Sequence, residues 1–179
     1  MPVSRFIQPW EGEVFRHCAQ DRDPLDFTYS ATSDNNRWNE KGDSTFYTSE
    51  SIEISGTEWL RYLEEQRSTK KEEDFKPRCF YQFKIKLDYT IDLRDKLVCK
   101  ALNLNNAPDC FKEKNDCRVI AKYLRTITSA QAIFVPPMAF IDQPKRWNLI
   151  IFIDKFGLDS KKFVIETKRR NILIWNDFI

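Results

Sequence analysis

The sequence predicts an α+β fold in a single domain: a mostly antiparallel, strongly twisted sheet covered by two or three helices. Three observations carry that prediction. From Phe83 the run FKIKLDYTIDL alternates Phe83, Ile85, Leu87, Tyr89, Ile91 and Leu93 with Lys84, Lys86, Asp88, Thr90 and Asp92, the period-two pattern of a strand with one buried face. Several further apolar runs are short and rich in β-branched residues, as strands are. Between them lie two segments whose apolar residues recur at helical spacing.

Taken in chain order, VFRHC, with Arg16 and His17, reads as an opening strand. SESIEISGTEWLRYLEEQR carries Ile54, Trp59, Tyr62 and Leu63 among charged residues and reads as a helix weakened by Gly56. The alternating strand follows. PDCFKEKNDCRVIAKYLRTITS then places Val119, Ile120, Tyr123, Leu124 and Ile127 on a helix expected to pack against the sheet. AIFV before Pro136, NLIIFI from Asn148, KFVIE from Lys162 and NILIW from Asn171 complete the strands, and the last two, joined through TKRR, read as a terminal hairpin. Lys168, Arg169 and Arg170 would then form its solvated tip. Trp147 beside Arg146 reads as core and edge packing. The chain has only four glycines and no Ser/Gly linker, biased tract or repeat, so one unit over residues 1–179 is expected.

Composition narrows the function. Lys+Arg 29 against Asp+Glu 27 leaves a formal +2, too little to gather nucleic acid on overall charge. Charges at Arg5, Glu11 and Glu13 interrupt the N-terminus where a secretory signal needs an apolar run, and no segment is long enough to span a bilayer, so a cytoplasmic protein is expected. Cys18, Cys79, Cys99, Cys110 and Cys117 form no C-x-x-C pair, and His17 is the sole histidine. Reduced structural thiols and no metal are expected.

The stretch NRWNEKGDSTFYTSESIEISGTEW, from Asn36 to Trp59, spaces Arg37, Tyr47 and Glu58 around a turn at Gly42. With Arg37 ending one strand, Tyr47 in the next and Glu58 on the following helix, all three would face one cleft. Arginine offers a planar fork of donors that matches a diphosphate. An aromatic ring stacks on a flat cationic heterocycle. A carboxylate near an anomeric carbon stabilises the oxocarbenium-like charge of glycosidic cleavage. Diphosphate, cationic base and ribose together describe NAD. Taken singly, a surface salt bridge, a strand aromatic and a solvated helix face account for the three residues equally well.

The stretch resembles the RES domain, a toxin-like family named for its arginine, glutamate and serine. Its R-W/F-N-x-x-G turn stands here as RWNEKG from Arg37 to Gly42, its Y-x-[SA]-x-[ST] strand end as YTSES from Tyr47 to Ser51, and its helix glutamate as Glu58 in GTEW. VFRHC is similar to the family's opening Y/F-R strand, and FVPPMAF followed by NLIIF to its P-S segment and N-L-V-L-F strand. The resemblance runs from about Phe15 to Phe152. It implies a fold related to ADP-ribosyltransferases, NAD as a substrate attacked at the nicotinamide–ribose bond, an Xre-type antitoxin as partner and homo-oligomers. Carried over, Arg37 holds the phosphates, Tyr47 stacks near the nicotinamide, and Glu58 stabilises the ribosyl cation or orients the nucleophile.

One departure stands out. VPPM puts Pro137 where the family's serine would follow, and proline has neither hydroxyl nor N–H to offer. Either that serine is dispensable or the chain is a weakened enzyme. Ser49 and Ser51 can donate to a phosphate or ribose, or cap the following helix. His17 is a candidate for the ligand's edge or an ordinary structural histidine, and Tyr29, on the loop approaching Arg37, for lining the base pocket or a plain loop aromatic. Three functions follow: NAD glycohydrolase or phosphorylase, ADP-ribosyl transfer to a macromolecule, and a non-catalytic NAD- or partner-binding relative.

Overall fold

The computed structural model describes residues 2–66 and 76–173. Six strands, β1 (Gln8–Ala19), β2 (Thr45–Ser49), β3 (Arg78–Asp92), β4 (Ala132–Val135), β5 (Asn148–Phe152) and β6 (Val164–Leu173), form one mixed sheet. Among the described residues four α-helices accompany them: α1 (Thr28–Thr32), α2 (Ile52–Gln66), α3 (Lys96–Ala101) and α4 (Lys114–Ile127). The order is β1-β2-β5-β4-β3-β6, with β1 also paired to β3, so the first five strands close into a ring and β6 extends it along β3. Among the described residues only β3–β4 is parallel.

Period-two alternation explains why β4, and β5 after Asn148, are apolar throughout. Leu149 and Ile151 of β5, with Ala132 and Phe134 of β4, join a core with Val14, Phe46, Phe83 and Phe163. Ile150 and Phe152, with Ile133 and Val135, face the opposite way into a second core with Leu124 of α4, Val98 of α3 and Trp38. Strands buried on both faces read as continuous hydrophobic runs.

The alternating run covers β3 from Phe83 to its end, and the strand starts earlier than the pattern because residues 78–85 have both neighbours, β1 and β6. Helix α2 forms despite Gly56. The Ser51 hydroxyl accepts from the Ile54 amide at 3.2 Å at its start, and a β-carbon at Gly56 would stand 3.6 Å from the Phe80 ring, so the helix lies close on β3.

Three expectations are corrected. Residues 164–173 are one continuous strand antiparallel to β3, not a hairpin, and Lys168 and Arg169 pair with Gln82 and Tyr81 instead of forming a tip. TKRR contains no residue favouring positive φ, and an edge strand tolerates charge, so nothing in it turns the chain. Trp175 lies outside the described residues. Helix α4 buries Cys117, Ile120, Ala121, Leu124 and Arg125, while Val119, Tyr123 and Ile127 are exposed. The buried stripe is rotated because Arg125 turns inward, donating to Asp154 Oδ1 and Thr45 Oγ1, each at 2.7 Å. Tyr29 is on α1, not a loop.

Other expectations hold. Trp147 packs edge-on against Trp10 and Phe134, and Arg146 pairs with Glu50 and Glu53 at the surface. All five cysteines are free and buried, and burial pushes Cys99 up to about 11 and Cys117 up to about 12, which makes them poor nucleophiles. Among the described residues no helix is long and apolar enough to cross a membrane.

Candidate functional site

Strands β1 and β2 meet at a single register pair, Phe15 opposite Ser49. Beyond it they part, because residues 16–19 of β1 follow β3 while Thr45–Ser49 of β2 follows β5. The gap is a cavity of about 480 Å³, within the range of small-ligand sites, roughly 300–1,000 Å³. Glu58, Trp59 and Tyr62 of α2, Tyr29 of α1 and the loop at Arg37 close it over.

Of the candidates proposed from the sequence, His17, Tyr29, Arg37, Tyr47, Ser49 and Glu58 line this cavity and Ser51 does not. Arg37 does not end a strand. It sits in the loop between α1 and β2, and Arg37, Trp38, Asn39 and Gly42 of RWNEKG hold that loop. Trp38, 3% exposed, packs on Phe111 at 5.5 Å. The buried Asn39 amide donates to the carbonyls of Ser30, Glu40 and Asp43. Gly42 takes φ +100, open to glycine and strained for other residues, and its N–H donates to the Ala31 carbonyl at 2.7 Å. Arg37 Nη1 donates to the carbonyls of Phe111 and Lys112, at 2.9 and 2.7 Å, which aims the guanidinium.

Tyr47 does more than offer a ring. Its hydroxyl accepts from the Trp38 N–H at 3.0 Å and donates to Asn39 Oδ1 at 2.7 Å, so it buttons the Arg37 loop onto β2. Burial raises its pKa well above the ordinary phenol value, and it stays neutral. Tyr47→Phe leaves both partners unpaired and is expected to lower stability by about 1–3 kcal/mol, read from chemical denaturation.

Glu58 projects from α2 with its side chain 19% exposed. Oε1 accepts from the Ala139 N–H at 2.9 Å, and Oε2 accepts from Arg61 at 3.2 Å. The segment that departs from the RES pattern therefore meets the carboxylate directly. Pro137, extended at φ −66 and ψ 140, leads into the short 3-10 helix Met138–Phe140, whose second residue supplies the N–H. Ser51 resolves to a helix cap, whereas the buried Ser49 hydroxyl makes no hydrogen bond among the described residues.

His17 is both structural and at the cavity wall. Its Nδ1 accepts from Arg78 Nε at 2.6 Å, and its ring meets Trp59 at 5.2 Å. Burial, then Arg78 and Arg16, holds its pKa well below the ordinary value, so it is neutral with the proton on Nε2. Tyr29, 48% exposed at the rim, lies under the Arg22 guanidinium.

Sequence reasoning missed three polar groups. Arg16 lies over the Phe46 ring at 4.9 Å, with a buried Nη1 that has no hydrogen-bond partner, and burial lowers its pKa to about 10. Asn148 lines the same cavity with its buried Oδ1 equally unpartnered. Arg78 opens β3. Leaving such a group unsatisfied costs about 1–3 kcal/mol, more for a charge, so its persistence in a cavity marks a ligand-facing position. VFRHC named Arg16 by position and NLIIF named Asn148, but nothing in the sequence distinguishes Arg78 from an ordinary strand residue.

A split mixed sheet that opens a polar cleft under a helix carboxylate defines a cavity of small-ligand size. The RES domain family matches residues 13–172, and the chain belongs to that family. It is similar to a chain in the crystal structure of the M. tuberculosis MbcT-MbcA toxin-antitoxin complex, with TM-score 0.65 and 15% identity over 94% of this chain and 91% of the other. That likeness establishes a shared fold. No curated protein matches the sequence. Among the described residues no group of His, Cys, Asp and Glu is arranged to hold a metal ion.

Proposed function

We propose that this RES-domain protein consumes NAD by breaking the nicotinamide–ribose bond, as a toxin-like enzyme. The observation that carries the reading is the convergence of Arg37, Tyr47, Ser49 and Glu58 on one cavity. Arg37, held from behind by two carbonyls, presents its guanidinium to the diphosphate. The Tyr47 ring flanks the cationic nicotinamide, and the unpaired Ser49 hydroxyl is placed for a ribose or phosphate oxygen. As the C1′–N bond breaks, its electron pair stays on the nicotinamide nitrogen and positive charge develops on the ribose. Glu58 stabilises that charge while a water or phosphate oxygen adds to C1′ and releases its proton to solvent.

Membership of the RES family and the likeness to a chain of a toxin-antitoxin complex support a further part of the reading, an Xre-type antitoxin that covers the cavity. Pro137 favours a second reading, a relative that binds NAD without turning it over, because it removes the hydroxyl and N–H that the family's serine would bring beside Glu58.

Nicotinamide release from NAD by the purified protein, with and without phosphate, tests the proposal. Turnover that is lost in both Arg37→Ala and Glu58→Ala is the expected result, and a phosphate requirement would name the acceptor. Binding without turnover in the unmodified protein would favour the second reading, and a labelled macromolecule from labelled NAD would favour ADP-ribosyl transfer.

A further inference from the structure

We propose that Arg78, together with Arg16, forms a phosphate-monoester subsite in the cavity, so that the dinucleotide it takes best carries a phosphate on the adenosine ribose as well as its diphosphate. This rests on the reading of the cavity as a dinucleotide site.

Arg78 is fixed on one side only. Its Nε is committed to His17, and its guanidinium lies 3.8 Å from the centroid of the Trp59 ring, which in turn stacks on Tyr62. Its two terminal nitrogens make no hydrogen bond among the described residues, and no carboxylate there pairs with it. Arg16 is in the same condition, with Nη1 buried and unpartnered. Burial first, with like charge from Arg16 among the further causes, draws Arg78 down to about 10. Both guanidiniums line the one cavity, costly to keep charged without an anion and preoriented as donor forks.

Charge complementarity selects the anion. The cavity is lined by seven cationic side chains against four carboxylates, and because Lys76 is also answered by Asp21 at 2.6 Å the surplus is two. In NAD the cationic ring offsets half of the diphosphate charge, which leaves half of that surplus unanswered. A phosphate monoester adds about −1.5 to −2 near neutral pH and three acceptor oxygens. The same chemistry is offered by free inorganic phosphate, and the experiment separates the two sources.

Calorimetric titration of the full chain with 2′,5′-ADP, 5′-AMP and inorganic phosphate reads binding without requiring turnover. The expected result is 2′,5′-ADP binding at least tenfold tighter than 5′-AMP, with the margin erased in Arg78→Gln and partly restored in Arg78→Lys, both folded by circular dichroism. Equal affinity for the two nucleotides, with Arg78-dependent binding of inorganic phosphate, would keep the subsite and assign it to free phosphate, overturning the dinucleotide preference. Binding of all three probes that is indifferent to Arg78→Gln, or absent throughout, would overturn the subsite itself. If NAD and NADP are both left intact while the 2′,5′-ADP margin holds, the proposed reaction fails and the subsite stands.

Discussion

Glu58→Gln is expected to lower kcat for nicotinamide release by about 10²–10³-fold, the usual effect of removing one electrostatic stabiliser of a developing charge, with a much smaller change in KM. The substitution is conservative in shape. A glutamine carbonyl still accepts from the Ala139 N–H, which Glu58 Oε1 meets at 2.9 Å, so the 3-10 segment at Met138–Phe140 keeps its tether to α2. What disappears is the negative charge, and that charge matters most when the ribose carbon becomes cationic. A loss confined to kcat is the signature of an interaction made in the transition state. Arg61 already draws on Oε2, so part of the charge is answered before substrate arrives. Its side chain is 28% exposed, however, and solvent weakens that competition. Steady-state kinetics with a parallel thermal melt decides the matter: an unchanged kcat, or a rise in KM alone, would remove Glu58 from the chemistry.

Phe46→Ala is expected to cost about 3–5 kcal/mol, the range for emptying a buried aromatic site, and to lower the melting temperature by roughly 6–20 °C for a chain of this size. Phe46 is fully buried inside the strand ring. Its ring meets Phe83 at 5.2 Å, Phe27 at 5.4 Å and Phe163 at 6.1 Å, so three separate segments converge on it. A domain of ordinary stability holds only about 5–15 kcal/mol in total, and the variant therefore sits near the edge of folding. The site suffers as well, since Arg16 lies over the same ring and loses its platform. Urea denaturation measures the cost, and Phe46→Leu, which refills most of the space, should recover at least half of it. A loss below about 1 kcal/mol would mean that the cavity collapses freely, against the close packing seen around it.

The strands were legible because burial imposes a period. The alternation from Phe83 to Leu93 is a direct print of β3, and the unbroken apolar runs of β4 and β5 follow from cores on both faces. The RWNEKG stretch was legible for a different reason: its tryptophan, asparagine and glycine each meet a local requirement of packing, hydrogen bonding or positive φ that few other residues satisfy. By itself, then, the sequence determined the α+β class, the small net charge of +2, the unpaired cysteines and the candidate trio Arg37, Tyr47 and Glu58.

Where periodicity ended, so did the reading. TKRR carries no signal for continuing or turning, and only the free edge of β3 decides that it runs straight into one strand. The helical spacing of α4 marks two adjoining stripes, and the inward turn of Arg125 toward Asp154 and Thr45 selects between them. The cavity itself is a tertiary fact. It exists because β1 and β2 share one register pair and then follow different partners, and that parting brings Arg16, Arg78 and Asn148 to face the same space as the trio. These residues come from three strands distant in sequence, and a local pattern holds no record of which side chains a sheet will leave unpaired when it splits.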